Sequence, residues 1–237
     1  MLARILAPMG LFALAVLVGH GEARGAASAA RAIAGKVTYQ GPGPAPEKVR
    51  VSADPRCQQM HPNGLERSLI DITGGGLADA FVWLKGGVVG DYPAPTEPVI
   101  LDQRGCEYHP QVIGVQAGQP IRILNSDDTL HNIHPRPTNN REFNIGQPRK
   151  GMESLRTFES PELMIPVGCD VHPWMRAYVS VVAHPFFAIT KADGTYEIKG
   201  VPPGEYEVEV YHGQLKSLTR TITVKALQAA NADFAFQ

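Results

Sequence analysis

Seven residues in the second half of the chain constrain its fold more than any other feature. Cys169, His172 and Met175 follow one another at intervals of three residues in the string CDVHPWM, which lies between two strand-like runs. A thiolate, an imidazole and a thioether are soft or borderline ligands, and with one further histidine they form the ligand set of a blue-copper site. That histidine must come from a distant segment, and we expect a sheet fold to bring the two segments together.

The segment DDTLHNIHPRP offers His131 and His134 as candidates for the missing ligand. The two residues are three positions apart, so on a strand their side chains point to opposite faces and only one can face the metal. Asn125, just before this segment, is predicted to bond the backbone of a turn and to hold the ligand segments in register. The alternative is a buried cysteine beside a surface histidine and a core methionine, with no metal at all.

The string CDVHPWMRAYVSVV resembles the ligand loop of the amicyanin group of cupredoxins, which runs Cys, two residues, His, Pro, aromatic, Met, Arg and a closing strand. LHNIH resembles the segment of that group with the first ligand, which is the histidine directly followed by Asn. The resemblance covers about residues 99 to 183. It implies a Greek-key β-sandwich with one type 1 copper held by His131, Cys169, His172 and Met175. It also implies single-electron transfer, not enzymatic turnover.

The same resemblance predicts where a partner docks. In that group the C-terminal histidine ligand shows one ring edge to solvent through a ring of apolar residues, which here would include Pro173, Trp174 and Pro135. An exposed apolar patch on a charged surface commonly marks a docking site. We therefore expect a redox protein as partner, such as a c-type cytochrome or a dehydrogenase.

Two other functions stay open on the sequence alone. The first is copper binding for handling or delivery, without a redox partner. The second is a secreted β-sandwich that binds carbohydrate or another protein and whose metal is incidental. The spectrum of a copper-loaded sample separates these alternatives from electron transfer.

The start of the chain predicts export. Arg4, an apolar run over residues 11–18 and small residues up to Ala29 form a signal peptide over residues 1–29. The apolar run is too short to span a membrane, so we expect a periplasmic or secreted protein without a membrane span. Removing residues 1–29 leaves 20 of the 22 basic and 22 of the 23 acidic residues. No basic stripe of the kind that binds nucleic acid is visible, and no nucleic-acid partner is predicted.

Cys57 and Cys106 are left over once Cys169 is assigned to the metal. In an oxidising compartment two such cysteines usually form a structural disulfide. The alternative is a second metal site, because the strings CQQMHP and CEYHP place His61 and His109 near the two cysteines. Neither spacing matches a familiar zinc signature well.

A second pattern follows the copper-like loop. Asp193 and Gly194 mark a hairpin turn, and the glutamates of EYEVEVY alternate with apolar residues, so one face of that strand is wet and the other buried. With 24 Gly and 20 Pro among short apolar segments, the whole chain is predicted to be all-β. The strings DGTYEI and VPPGEY resemble the carboxypeptidase regulatory-like, prealbumin-type β-sandwich over about residues 186 to 237.

These patterns divide the chain into a signal peptide (1–29), an N-terminal β segment (30–90), a cupredoxin-like copper domain (91–184) and a carboxypeptidase regulatory-like segment (185–237). The runs 35–39 and 78–84 match the opening strands of a prealbumin-like module. The first arrangement is therefore a smaller prealbumin-like sandwich split by an inserted copper domain. The second is two consecutive domains, with residues 30–98 belonging to the cupredoxin. Both arrangements are compatible with the sequence.

Overall fold

The computed structural model describes residues 32–226 and 228–237, so the predicted signal peptide lies outside the described residues. Within these ranges the regular structure is almost entirely strand, with one short helix, α1 (Pro55–Met60). The prediction of an all-β fold is confirmed. No helix in the described ranges has the length and apolar character needed to cross a membrane.

The strands are short and are numbered in chain order. The first eight are β1 (Ala32–Tyr39), β2 (Glu47–Val49), β3 (Leu65–Arg67), β4 (Ile72–Thr73), β5 (Gly76–Leu77), β6 (Phe81–Gly86), β7 (Val99–Arg104) and β8 (Glu107–His109). The next seven are β9 (Val112–Gln116), β10 (Ile121–Asn125), β11 (His131–Pro135), β12 (Ile145–Gln147), β13 (Glu153–Arg156), β14 (Glu162–Gly168) and β15 (Arg176–Val182). The last six are β16 (Phe187–Ile189), β17 (Thr195–Lys199), β18 (Gly204–Tyr211), β19 (Leu218–Val224), β20 (Ala230–Asn231) and β21 (Phe234–Phe236).

Two sheets combine strands from both ends of the chain, and we call them together the terminal sandwich. One sheet has the order β17-β1-β5-β4, with β20 and β21 also paired to β1, and the other has the order β16-β6-β18-β19. In the first sheet Ala32 lies opposite Lys199 in an antiparallel pair, and Val37 lies opposite Phe234 in a parallel pair. Apolar side chains from both ends of the chain therefore share one core.

Two further sheets form what we call the central sandwich. Their orders are β13-β10-β7-β8 and β12-β11-β14-β15-β9, and each contains one parallel pair, β7 with β10 and β9 with β15. Side chains alternate as expected for half-buried strands: Ile121 and Ile123 of β10 are buried, whereas Arg122 points outward to Glu153. Because β14 ends at Gly168 and β15 begins at Arg176, the predicted ligand loop is the connection between them.

Aromatic side chains join the two sandwiches. Phe81 and Phe187 stack with their ring centroids 5.4 Å apart, and they lie against β9. A Cβ atom on Gly114 would come within 2.5 Å of the Phe187 ring, so glycine permits the close approach at this point. The junction is completed by a small apolar cluster that includes Val112 and Met164.

Strands β2 and β3 pair with each other in a separate two-stranded sheet, and the segment between them covers one end of the central sandwich. We call residues 51–60 the covering segment. Asp54 begins its helix as the N-cap, because its carboxylate accepts the backbone N–H groups of Arg56 and Cys57 at 2.7 and 3.1 Å. Pro55 occupies the first helical position, where a missing N–H costs nothing.

A disulfide between Cys57 and Cys106 attaches the covering segment to the loop between β7 and β8. Val51, Cys57 and Leu65 are buried in the same apolar cluster as the core of the central sandwich. The covering segment is therefore packed onto the central sandwich and bonded to it.

Candidate metal centre

Three of the four predicted ligands converge at one end of the central sandwich. His131 opens β11, while Cys169 and His172 lie in the loop between β14 and β15. The Nδ1 atoms of the two histidines are 3.0 Å apart, and Cys169 Sγ lies 3.8 Å from His172 Nδ1. All three side chains are buried, with at most 4% of any residue exposed. Their ligand atoms lie close enough together to bind one metal ion.

A carboxylate holds each histidine from the far side of its ring. His131 Nε2 lies 2.9 Å from Asp127 Oδ2, and His172 Nε2 lies 3.1 Å from Asp54 Oδ2. Because a carboxylate only accepts hydrogen bonds, each Nε2 donates to its carboxylate, and the two Nδ1 atoms are left facing each other beside Cys169. Two ring nitrogens only 3.0 Å apart require a proton or a metal cation between them. The arrangement is the one that outer carboxylates impose on metal-binding histidines.

The pKa shifts of Cys169 and His131 reflect the negative charge collected at this site. Burial raises the pKa of the Cys169 thiol, but hydrogen bonds with His131 and His172 outweigh burial and lower that pKa to about 6. A thiolate is the form of cysteine that binds metals. Burial lowers the pKa of His131, whereas its hydrogen bonds with Asp127 and Cys169 raise it and prevail. The buried end of the sandwich therefore concentrates negative charge that a cation would neutralise.

The two carboxylates are themselves fixed in place. Asp127 accepts the backbone N–H groups of Gly105 and Cys106, each at 2.8 Å, and Asp54 accepts the hydroxyl of Thr129 at 2.8 Å. Burial raises the pKa of Asp54, but its hydrogen bonds, with that to Thr129 the strongest, lower this pKa to about 2. The pKa of Asp127 is lowered as well, because its hydrogen bond to the histidine and those from the backbone outweigh burial. Both carboxylates stay ionised and keep the two rings oriented.

Asn132 joins the two ligand segments. Its side-chain oxygen accepts the backbone N–H of Asp170 at 2.6 Å, and its own backbone N–H points to Cys169 Sγ at 3.5 Å. Asn125 donates to Thr129 O at 2.9 Å within its own turn and to Gln147 O of β12 at 2.7 Å. The predicted turn role of Asn125 matches these contacts, but the link between ligand segments is made by Asn132.

Met175 closes the loop that carries Cys169 and His172. Its backbone N–H donates to His172 O at 2.9 Å, which turns the chain back toward the sandwich, and its side chain is buried in the central core. The described contacts do not join its sulfur to the three converging donors. Its assignment as the fourth ligand stays a prediction.

His134 lies apart from this cluster. Its side chain is 16% exposed and contacts Glu142 through Nε2 at 2.6 Å and Asp170 through Nδ1 at 3.0 Å. The histidine directly followed by Asn is thus the one that faces Cys169. Alternation along β11 explains the difference, as it places residues three apart on opposite faces.

The alternative of a second metal site at the other two cysteines is wrong in this structure. Cys57 and Cys106 are bonded to each other, with their Cα atoms 5.8 Å apart, so neither offers a thiolate. His61 and His109 each contact a backbone carbonyl oxygen through Nε2, at 2.7 and 3.1 Å. These groups stabilise the loop that supports the covering segment.

The predicted docking ring does not form. Trp174 is only 8% exposed, its indole N–H donates to Cys106 O at 3.0 Å, and its ring lies 5.0 Å from that of His172. Pro135 is buried, so of the three predicted residues Pro173 alone is exposed. The expectation that Trp174 is a docking residue is wrong, because the covering segment and its disulfide occupy the space over the edge of His172.

Sequence reasoning missed Asp54 and Asp127. The pair Asp54–Pro55 does carry a signal, since Asp before Pro is typical of a helix start. Asp127 lies four residues before His131 in the segment that had already been singled out. Neither signal indicates which distant side chain the carboxylate will meet.

Comparison with protein families gives one match at the C-terminal end. Residues 172–237 are similar to the carboxypeptidase regulatory-like domain. The predicted resemblance to that family is confirmed. The matched range includes β15, which belongs to the central sandwich, and it leaves out β1 and β6, which pair with the C-terminal strands. A comparison with curated protein sequences gives no match.

Solved structures similar to part of the chain include copper proteins. A copper-containing nitrite reductase from Thermus scotoductus is 20% identical, with a TM-score of 0.34, over 41% of this chain and 25% of its own. A purple cupredoxin from Nitrosopumilus maritimus is 21% identical, with a TM-score of 0.31, over 35% of this chain and 98% of its own. An oxidised amicyanin variant is 23% identical, with a TM-score of 0.32, over 35% of this chain and 81% of its own. This chain thus spans a quarter of the nitrite reductase.

Proposed function

We propose that this protein is an exported type 1 copper protein that carries single electrons, with His131, Cys169, His172 and Met175 as ligands. The observation that supports the proposal most is the convergence of two Nδ1 atoms and one thiol of lowered pKa in a buried site. Copper bound by such a set stores one electron by alternating between Cu(II) and Cu(I).

The chain's own contribution is to keep the donors in one geometry. Asp127 and Asp54 fix the two rings from behind, and Asn132 fixes the spacing between the ligand segments. Rotation of either ring would break a hydrogen bond to a buried or capping carboxylate. Ligands that do not rearrange between oxidation states would favour fast electron transfer, and the buried setting excludes water from the site.

We also propose that the copper-binding unit, residues 91–184, is inserted into a carboxypeptidase regulatory-like sandwich built from segments 30–90 and 185–237. The pairing of β1 with β17, and of β6 with both β16 and β18, supports this division. The inserted unit would still depend on the host sandwich, because the covering segment comes from the N-terminal part.

The test is to load the exported protein with Cu(II) and record its visible and electron paramagnetic resonance spectra. We expect intense visible absorption from the thiolate and reversible one-electron reduction. Cys169→Ser is the matched control and should lose the absorption while the terminal sandwich stays folded. Colourless but tight Cu(I) binding would instead support copper handling or delivery, and no copper uptake would contradict both functions.

A further inference from the structure

The covering segment shields the His172 side of the site from solvent. The His172 residue is 1% exposed, and its Nε2 lies 3.1 Å from Asp54 Oδ2 and 3.7 Å from Cys57 Sγ. Both contacts belong to the covering segment, which the disulfide to Cys106 bonds to the central sandwich. A partner protein therefore cannot place its own redox group against this ring.

A second approach to the ligands is open. A surface depression of about 480 Å³ is lined by Cys169, Asp170, Pro173, Met175, Arg136 and Arg176, and we call it the arginine groove. Two of the proposed ligands, Cys169 and Met175, form part of its wall. No residue of the covering segment lines the groove, so a group seated there lies beside Cys169 and Met175 without displacing that segment.

The charged side chains of the arginine groove indicate what kind of partner it can bind. Arg176 is exposed, and no carboxylate in the described part of the chain forms an ion pair with it. The Arg136 side chain, 54% exposed, lies 3.1 Å from Asp170, which also accepts from Asn144. The groove is thus lined by two guanidinium groups and by one carboxylate that is already shared. The chain as a whole has a net charge of −1, so the groove is a local positive region on a slightly acidic molecule.

We propose that electrons enter and leave through the arginine groove, and that the partner is a redox protein with an acidic docking face. The inference rests on the proposed function, which it deepens by naming the entry face and the partner's charge. Weak electron-transfer encounters bury little surface, and opposite charges speed them by steering the approach.

The experiment compares charge reversal on the two candidate faces. Arg176→Glu changes the groove, while Arg56→Glu changes the covering segment beside Asp54, where the Arg56 side chain is 57% exposed. The copper-loaded Cu(I) protein is mixed with the anionic oxidant hexacyanoferrate(III), and the oxidation rate is followed by stopped flow. At low ionic strength we expect Arg176→Glu to slow oxidation at least about threefold, with the difference shrinking at high salt. Arg56→Glu should oxidise at the wild-type rate.

Either of two results overturns the proposal. If Arg56→Glu slows oxidation and Arg176→Glu does not, electrons pass through the histidine side despite the covering segment. If both variants match the wild type, the arginine groove has no role in the encounter.

A second measurement does not depend on copper. The full chain without metal is titrated with hexacyanocobaltate(III), a redox-inert anion, and its backbone amide signals are followed by nuclear magnetic resonance. Signals of Asp170, Val171 and Arg176 should shift, and the shifts should disappear in Arg176→Glu but persist in Arg56→Glu. Shifts confined to the covering segment would overturn the groove assignment. A protein that binds the anion in the groove but shows no type 1 copper spectrum would disprove the proposed function and leave the groove assignment standing.

Discussion

The two sandwiches of this protein bury different kinds of groups. In the described residues of the terminal sandwich, the buried polar side chains form hydrogen bonds within that sandwich; they are His184, Thr190, Glu209 and His212. The central sandwich buries two histidines whose Nδ1 atoms face each other and a thiol of lowered pKa. Buried polar groups that have hydrogen-bond partners indicate a structural role. Buried nitrogen and sulfur atoms that converge on one point instead indicate a candidate binding site. The comparison separates the part that holds the fold from the part that contains the candidate metal site.

Replacing a proposed ligand in the central sandwich should have the largest effect on copper binding. His131→Ala should weaken Cu(II) binding by more than about 100-fold, since loss of a ligand exceeds the tenfold to 100-fold cost typical of an outer-shell partner. His134→Ala is the control and should bind within about threefold of the wild type, because its ring faces Glu142 and Asp170. Isothermal titration with a competing chelator measures both. The assignment is wrong if the two variants exchange these behaviours.

Removing the disulfide tests whether the covering segment stabilises the central sandwich. The bond closes a separation of 49 residues, and the chain-entropy model then gives about 4 kcal/mol of unfolding free energy. The double variant Cys57→Ser, Cys106→Ser should lose stability of this order in denaturant unfolding of the metal-free protein. In the unfolded wild-type protein we expect a single titratable thiol, that of Cys169. Three free thiols in protein taken from the periplasm would contradict the disulfide.

Asp54→Asn tests the outer carboxylate without removing the helix cap, because Asn is as good an N-cap as Asp. The neutral amide makes His172 a weaker donor, so Cu(II) affinity should fall about tenfold. If Cu(I) binding is unchanged, the reduction potential rises by about 59 mV, the one-electron equivalent of a factor of ten. The matched control is Asp193→Asn, at a hairpin turn of the terminal sandwich, where Asp193 accepts from Thr195. Equal potentials for the two variants would show that Asp54 only caps the helix.

The smallest effect concerns pH and the terminal sandwich. Burial lowers the pKa of His184 below its ordinary value of 6.5, and this outweighs the opposing hydrogen bond to Leu84 O. As pH falls below 6.5 the unfolded chain gains a proton on this residue before the folded one does, so His184 contributes a loss of stability. His184→Gln should therefore show a shallower decline in unfolding free energy between pH 7.5 and 5.5. A variant whose decline is as steep as that of the wild type would refute a buried neutral His184.

Some features of this protein are determined by short stretches of sequence. The all-β class follows from short alternating segments separated by Gly and Pro, and the similarity at the C-terminal end is visible in the strings DGTYEI and VPPGEY. The spacing of Cys169, His172 and Met175 places them in one loop whatever surrounds it. Alternation along a strand likewise separates the faces of His131 and His134. These are local properties, so residues a few positions apart are sufficient to predict them.

Other features depend on contacts between distant segments, and only the tertiary structure decides them. Asp54 meets His172 across 118 positions of the chain, and the pairing of β1 with β17 joins opposite ends of it. Trp174 is buried, where the sequence predicted exposure, because α1 and the disulfide cover that end of the sandwich. A local sequence pattern gives the type and the spacing of side chains. The burial and the hydrogen-bond partners of each side chain depend instead on which distant segment packs against it.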